Sequence, residues 1–471
     1  MVPVTSFAGR VVAVFGLGLS GIASARALVA GGAKVLAFDD DGGHRAAAEA
    51  EGIAIADLKA ADWSAISALV LSPGVPLTHP EPHWSVRLAR QAKAEVIGDT
   101  ELFERERAAR APKSRLVAVT GTNGKSTTAA LIAHIIKTAR RSVGLGGNIG
   151  VPVLALDEVS DATIYVIEYS SYQIDLTPSL APDVGVLLNL AEDHLDRHGS
   201  FAGYAAIKAR LAEAAARKGM AIVGADDAEC RAIADAIEKG GGRLIRISNR
   251  DAVTRGVFAR GGRLYQSLGD SVQEVADISR AGSLRGAHNW QNAAAAFAAA
   301  RVLGVAADQI VRALHSFPGL AHRMEEIGRI GAVLFVNDSK ATNADAAARA
   351  LDCFDTIYWI AGGRPKSGGI SSLGEYFPKI AHAYLIGEAA DAFAKTLAGK
   401  VAFTINGDVE SAVRQAAADA AQSRAAQPVV LLAPACASFD QFANFEARGE
   451  AFRMAVAQLG GGARKEGMSA C

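Results

Sequence analysis

The chain has 471 residues, half of them hydrophobic, with lysine plus arginine equal to aspartate plus glutamate at 49 each. That is too long for one ordinary core and suggests about three domains, while the zero net charge offers no broad cationic surface for nucleic acid or an acidic membrane. Cys230, Cys353, Cys436 and Cys471 form no CxxC pair, no uninterrupted apolar run reaches about 18 residues, and the start MVPVTSFAGR lacks a basic leader; these features point to a cytoplasmic enzyme without disulfides, signal peptide or membrane insertion.

The first segment opens with an expected strand, Arg10 to Phe15, that runs into Gly16-Leu-Gly18-Leu-Ser-Gly21 and an alanine-rich helix. A second expected strand, Lys34 to Phe38, ends in Asp39, Asp40 and Asp41. Glycines at GxGxxG spacing with an acid about 20 positions on make a dinucleotide fingerprint, which alone suggests a nicotinamide-dependent oxidoreductase; a glycine turn serving only helix packing is the plain alternative. Ala68 to Leu71 then runs into Ser72-Pro73-Gly74-Val75 at the same carboxyl edge. The charged stretch Arg105 to Lys113, with Pro112 inside it, reads as a linker.

The central segment is organised around VAVTGTNGKSTT, Val117 to Thr128. An apolar run breaks into Gly121-Thr122-Asn123-Gly124-Lys125-Ser126-Thr127 and then into a helix with Leu131, Ile132, Ile135 and Ile136 on one face. Strand, glycine loop and helix are the context of a phosphate-gripping loop: backbone N–H groups turn inward, the helix N-terminus adds positive potential, Lys125 reaches the β- and γ-phosphates and Ser126 ligates Mg²⁺. The Walker match is partial, because Val119 stands where the first glycine belongs. The Gly-Lys-Ser element also argues against hydride chemistry in the first segment. Further on, GGNIG (146–150) is a glycine turn whose Asn148 could donate to a phosphate, and Glu168 closes the expected strand Thr163 to Ile167, suiting Mg²⁺ beside the loop. Glu192, Asp193, His194, Asp196 and His198 after the strand Val184 to Leu188 are either a metal or acid–base cluster, or a polar loop capping the helix of Lys208, and zinc is not expected there. Asn289 and Asn292 share one helix face and either read a base edge or cap the helix.

Phe317-Pro-Gly-Leu, with Ala321, reads as a second linker. Five expected strands follow, Val333 to Val336, Ile357 to Ile360, Ala383 to Ile386, Val401 to Thr404 and Val429 to Leu432, each before a polar or glycine turn. That rhythm predicts another doubly wound sheet, with Lys340, Thr342, Lys366 and Ser438 on its carboxyl rim, a set that suits a dicarboxylate. The tail GGGARKEGMSAC reads as disordered.

Together these segments resemble the Mur ligases over nearly the whole chain. The family's own loop is GTNGKS/T, and further matches are FGLGLSG, SPGVPLTHP, IGDTELF, GGNIG, IEYSSYQI, EDHLDRH, YAAIKARL, GAHNWQNAAAA and HRMEEI. NDSKATN with ACASFDQFANFEARG resembles the branch that adds D-glutamate. The resemblance implies an α/β chain of three domains: a Rossmann-like UDP-substrate domain (1–111), a central P-loop ATPase-like domain (112–319), and a C-terminal Rossmann-like domain (320–471) that binds the amino acid and closes over ATP.

It implies ATP-dependent addition of D-glutamate to UDP-N-acetylmuramoyl-L-alanine in peptidoglycan synthesis, by a cytoplasmic monomer. Gly121, Thr122, Asn123, Gly124, Lys125, Ser126 and Thr127 would hold the ATP phosphates, with Asn289, Asn292, Arg323 and Asp338 addressing the rest of the nucleotide. Ser126 and Glu168 would hold one Mg²⁺, and His194 with Lys208, carbamylated by CO₂, a second. Leu19, Ser20, Asp39, Asp40, Gly74 and Asn148 match positions around the UDP substrate, and Thr342, Lys366, Ser438 and Phe445 positions around D-glutamate. The chain departs from its relatives at Ala321, in the lysine loop GGRPKSGG and in the acidic run 39–41, which is expected to face the ribose and base. A relative adding L-glutamate or another amino acid, the oxidoreductase, and a non-catalytic nucleotide binder are the competing readings.

Overall fold

The computed structural model describes residues 1–365 and 368–460. The chain forms two compact units, one of residues 1–279 with 287–316, the other of 280–286 with 317 onward.

Two sheets belong to the first unit. The smaller is built from β1 (Val11–Phe15), β2 (Lys34–Phe38), β3 (Ile66–Leu71) and β4 (Glu95–Ile97), all parallel in the order β2-β1-β3-β4. The chain leaves β1 to one side and returns to the other, so the crevice for a ligand opens at the carboxyl end of β1, where the glycine turn lies. Gly21 is obligatory there: a Cβ would sit 1.7 Å from the Gly16 carbonyl oxygen.

The second sheet runs from β5 (Arg115–Thr120) through β6 (Val143–Gly147), β7 (Ile164–Glu168), β8 (Val184–Leu187), β9 (Met220–Gly224) and β10 (Leu244–Ser248) to β11 (Arg255–Arg260), β12 (Arg263–Leu268) and β13 (Ser271–Asp277). Its order is β13-β12-β11-β10-β9-β8-β5-β7-β6. From β5 the chain passes over β7 to β6, comes back to β7 and crosses to β8, so β5 stands at the switch point and its loop occupies the crevice. β11 to β13 form an antiparallel extension, a meander the sequence reading missed; alternating side chains around Gly261-Gly262 were its signal.

The expected linker at Arg105 to Lys113 is overturned. The helix Asp99–Arg110 takes up its first six residues and buries Glu101, Glu104, Glu106 and Arg107. The charges are internal partners: Glu106 accepts from Thr5 Oγ1 and Ser6 N, Glu101 from Ser179, and Glu104 pairs with Arg107 at 2.9 Å.

In the second unit, β14 (Glu325–Ile330), β15 (Val333–Asn337), β16 (Ile357–Gly362), β17 (Ile380–Ile386), β18 (Phe403–Gly407) and β19 (Val429–Leu432) form one sheet, ordered β14-β15-β19-β16-β17-β18. β14 is antiparallel to β15 and the other pairs are parallel. Alternate residues feed two cores, Leu334, Val336 and Trp359 on one face and Phe335, Tyr358 and Ile360 on the other, which is why these strands read as continuous apolar runs. β19 inserts between β15 and β16, bringing the turns after those three strands side by side. Lys366 and the tail beyond Gly460 lie outside the described residues.

Candidate functional site

The glycine loop expected to grip phosphate joins β5 to the helix Lys125–Thr138. Gly121 and Gly124 take φ of +149° and +83°, turning the backbone where a side chain would be strained. A Cβ on Gly124 would also meet Asn292 Oδ1 at 2.3 Å. The loop is braced from the neighbouring strand end: Thr122 N donates to the Asn189 carbonyl at 2.8 Å, and Asn123 N to Asn189 Oδ1 at 2.9 Å. Asn189 Nδ2 returns to the Asn123 carbonyl and reaches Gln291 Oε1 at 3.1 Å, while Gln291 Nε2 donates to Asp226 Oδ2 at 2.7 Å. Lys125 Nζ donates to the carbonyls of Gly121 and Thr122 at 3.0 and 2.9 Å. Asn292 is buried; its Oδ1 accepts from Thr128 Oγ1 and its Nδ2 donates to Asn289 Oδ1, so the pair lies inside the helix Ala287–Val302 rather than at its cap and bolts it to the loop helix.

Beside the loop is a cavity of about 300 Å³ whose lining includes Gly74, Lys125, Asn148, His194 and Lys208. Glu168, the last residue of β7, is buried behind Asn148; its Oε1 accepts from Asn148 Nδ2 at 2.8 Å, and its Oε2 has no partner among the described residues. A buried carboxylate oxygen without a donor fits a cation, and Ser126 at the helix start supplies a further oxygen type for it. Among the described residues, however, no three His, Cys, Asp or Glu side chains gather to hold a metal. His194 sits on the rim with φ of +52° and a half-exposed ring, 3.5 Å from Asp193. Lys208 is 2% exposed: its Nζ donates to Thr120 Oγ1 at 3.1 Å and the Gly121 carbonyl at 3.0 Å, over the Tyr204 ring. Burial, and next the charge of Lys125, hold its pKa well below the ordinary lysine range, favouring the neutral amine.

The histidine-rich loop also acts as a clamp. Arg197 lies 4.6 Å over the Tyr172 ring and donates to the carbonyls of Gly74 and Val75 at 2.7 and 2.8 Å, fixing the turn of the first sheet against the second. His198 meets Ser171 Oγ at 2.9 Å, and burial pushes its pKa down to about 4.

At the first glycine turn Leu19 is exposed, and Ser20 follows it in the helix Leu19–Ala30. Asp39 Oδ2 accepts from Leu17 N at 2.6 Å, and Asp40 binds His83 Nε2 at 3.0 Å and Trp84 Nε1 at 3.2 Å. The expectation that the whole acidic run faces a ribose and base is corrected at Asp41, which caps the helix Gly42–Ala50 through Gly43 N and His44 N.

In the second unit, Asp338 follows β15 and is buried; Met324 N donates to its Oδ1 at 3.2 Å, and desolvation raises its pKa to about 6. Arg323 stands just before Met324. Thr342 and the buried Ser438 follow β15 and β19, and Lys340 Nζ lies 3.8 Å from the Phe445 ring centre. Arg448, which the sequence reading passed over, is 1% exposed and ties these turns together, donating to Ser339 Oγ, Ser339 O and Cys436 O at 3.0, 2.8 and 3.1 Å. A lone arginine on the apolar face of its helix was the signal. Asn189, Gln291 and Asp226 were missed because isolated amides and acids at strand ends look like solvated loop residues.

Residues 119–300 match the Mur ligase middle domain and residues 322–436 the Mur ligase glutamate ligase domain. The chain is 57% identical over 462 residues to the UDP-N-acetylmuramoylalanine–D-glutamate ligase of Brucella abortus (strain 2308), covering 98% of both chains. It is likewise 57% identical over 461 residues to the ligase of that name from Nitrobacter hamburgensis, covering 98% of this chain and 99% of the relative. Among solved structures, UDP-N-acetylmuramate-alanine ligase MurC from Thermotoga maritima aligns over 96% of this chain and 99% of its own, with a TM-score of 0.57 and 16% identity. MurF ligase from the same organism, in complex with ADP, covers 84% of this chain and 90% of its own, with a TM-score of 0.56 and 18% identity. These two likenesses concern the fold.

Proposed function

The chain belongs to the Mur ligase family, and we infer that it catalyses the ATP-dependent joining of D-glutamate to UDP-N-acetylmuramoyl-L-alanine, a step of peptidoglycan synthesis. The observation that carries this reading is 57% identity over nearly the full length of ligases named for that reaction. Measuring ADP release with D- and L-glutamate in turn tests it: turnover with the D isomer alone is expected, and turnover with only the L isomer overturns it.

A carboxylate is a poor acyl donor, so the γ-phosphoryl group moves first to the alanyl carboxylate, giving an acyl phosphate. The loop amides and Lys125 stabilise the charge spreading over that group. The amine of D-glutamate then attacks the carbonyl carbon, loses a proton, and the tetrahedral intermediate expels phosphate. Mg²⁺, when bound, neutralises the phosphate oxygens. Its proposed ligands are Ser126 and the unpartnered oxygen of Glu168, with His194 and Lys208 at a second site. As an ammonium Lys208 repels a dication; as a carbamate formed from CO₂ it offers anionic oxygens, and its buried, desolvated amine supports that chemistry.

The remaining assignments are also proposals. Residues 1–111 hold the UDP substrate through Leu19, Ser20, Asp39, Asp40, Gly74 and Asn148; residues 112–319 bind ATP; residues 320–471 contribute Arg323 and Asp338 toward ATP and Thr342, Lys366, Ser438 and Phe445 toward D-glutamate. Asn289 and Asn292 serve ATP by shaping its loop, which their mutual bond and the bond to Thr128 support. A cytoplasmic monomer completes the reading. Among the described residues no helix is long and apolar enough to cross a membrane.

A further inference from the structure

The antiparallel end of the second sheet carries a cavity lined by none of the residues proposed for the ligase reaction. It holds about 310 Å³ and shares no residue with the cavity beside Lys125 and Lys208. Leu244, Ile245, Val257 and Leu268 line it from β10, β11 and β12, and Ala298 from the helix packed across them. Local sequence explains the hollow. That helix contributes only a small side chain, Ala298, beside Arg301, and Gly256 on β11 has no side chain because a Cβ would sit 1.9 Å from the Arg246 carbonyl oxygen. The volume lies at the lower end of small-molecule sites, and a mostly apolar wall with a few polar groups is their usual composition.

Two arginines belong to the lining, Arg255 and Arg301. Among the described residues neither pairs with a carboxylate; Arg301 Nη1 donates only to the Val305 carbonyl, at 3.0 Å. Neighbouring arginines of the same sheet are compensated: Arg246 pairs with Asp235 and Glu238 at 2.8 and 2.9 Å, and Arg263 with Glu274 at 3.2 Å. Arg260 of β11 also has no carboxylate partner among the described residues but lies over the Phe258 ring and outside the cavity lining, so the arginines at the hollow itself are Arg255 and Arg301.

We propose that this cavity binds a small amphipathic anion, with its apolar body against Leu244, Val257 and Ala298 and its carboxylate, sulfonate or phosphate head held between Arg255 and Arg301. The probe is 1-anilinonaphthalene-8-sulfonate, compared with its uncharged counterpart N-phenyl-1-naphthylamine. Both are titrated into the full chain with saturating ATP and Mg²⁺, which keeps the nucleotide site filled. Bound sulfonate is expected to slow hydrogen exchange in residues 244–268 and 298–301. The double substitution Arg255→Gln/Arg301→Gln weakens the sulfonate by about tenfold or more and the neutral dye by less than about twofold, since only the anion loses charge-assisted hydrogen bonds. Leu244→Trp fills the hollow and removes both dyes, with unchanged ADP release reporting that each variant is folded. Sulfonate affinity untouched by the double substitution, or protection elsewhere in the chain, marks adventitious binding and overturns the proposal.

Discussion

Replacing Asn189 by alanine tests how the ATP loop is held. The side chain fixes the loop at both backbone polar groups of one residue, accepting from Asn123 N at 2.9 Å and donating to the Asn123 carbonyl at 3.2 Å, and it carries the link to Gln291. Its backbone bond to Thr122 N survives the change. Truncation therefore leaves Asn123 N without its acceptor inside a partly buried turn, at about 1–3 kcal/mol. Asn123 belongs to the loop proposed to cradle phosphate, so the loss is felt in ATP binding: KM for ATP should rise between about fivefold and 150-fold, the range those energies span. ADP release across an ATP titration, with the other substrates saturating, measures it. KM for D-glutamate, whose proposed residues lie in the other compact unit, should change by less than about twofold on the additivity expected of distant sites. A variant with wild-type KM for ATP would refute the bracing argument, and an equal rise for every substrate would mean the substitution acts on the fold at large.

Three further outcomes follow from the same geometry. Lys208→Ala should lose most activity and regain part of it with a short carboxylic acid, which returns anionic oxygens to the space; full activity of the variant without additive excludes the carbamate. Glu168→Gln keeps an acceptor for Asn148 but removes the charge, so turnover should fall by about 10²-fold or more at any Mg²⁺ concentration; a wild-type Mg²⁺ response in the variant argues against metal ligation there. Asp338 keeps its proton to about pH 6 when folded, against 3.8 for the ordinary group. Between those values the folded state binds more protons than the unfolded, so stability falls as pH rises, by roughly 3 kcal/mol once pH exceeds the folded pKa. Asp338→Asn should flatten that slope in denaturant titrations from pH 4 to 7; an identical slope in both proteins removes Asp338 as its source.

Regular apolar strands made the sheets legible. Lys34–Phe38 and Val429–Leu432 were read to the residue: the second is buried throughout and appears as an unbroken apolar run, and the first is bounded by the acidic run 39–41. The helix Asp99–Arg110 was misread where charge stood for exposure: Glu104 and Arg107 neutralise each other inside, which composition cannot reveal. The site divides in the same way. Lys125, Glu168, His194 and Lys208 were named from motifs, and three of them line or adjoin one cavity in which Glu168 is reached through Asn148. The supports of Lys125 and Lys208, Asn189, Gln291 and Thr120, come from strands and helices distant in sequence, as does Arg448 among the turns of the other unit, and their partners exist only once the chain is folded.

The valine at position 119 shows why this loop needs such supports. Val119 lies inside β5, wholly buried, opposite Glu168 on one side and Val186 on the other. Its carbonyl accepts from Tyr169 N at 2.8 Å, extending the ladder one residue beyond β7. A glycine there would weaken a central strand, losing both packing and backbone restriction. The turn consequently begins later, at Gly121, and leaves few residues to shape a phosphate cradle. What a longer glycine loop would do with its own backbone is done here by an amide from the end of β8, itself held by Gln291 and Asp226. The loop proposed to hold ATP is thereby tied to the helix Ala287–Val302, whose Asn292 fills the space beside Gly124. A short loop braced from outside is sensitive to substitutions that touch neither phosphate nor metal, and that sensitivity separates this arrangement from a self-contained Walker loop.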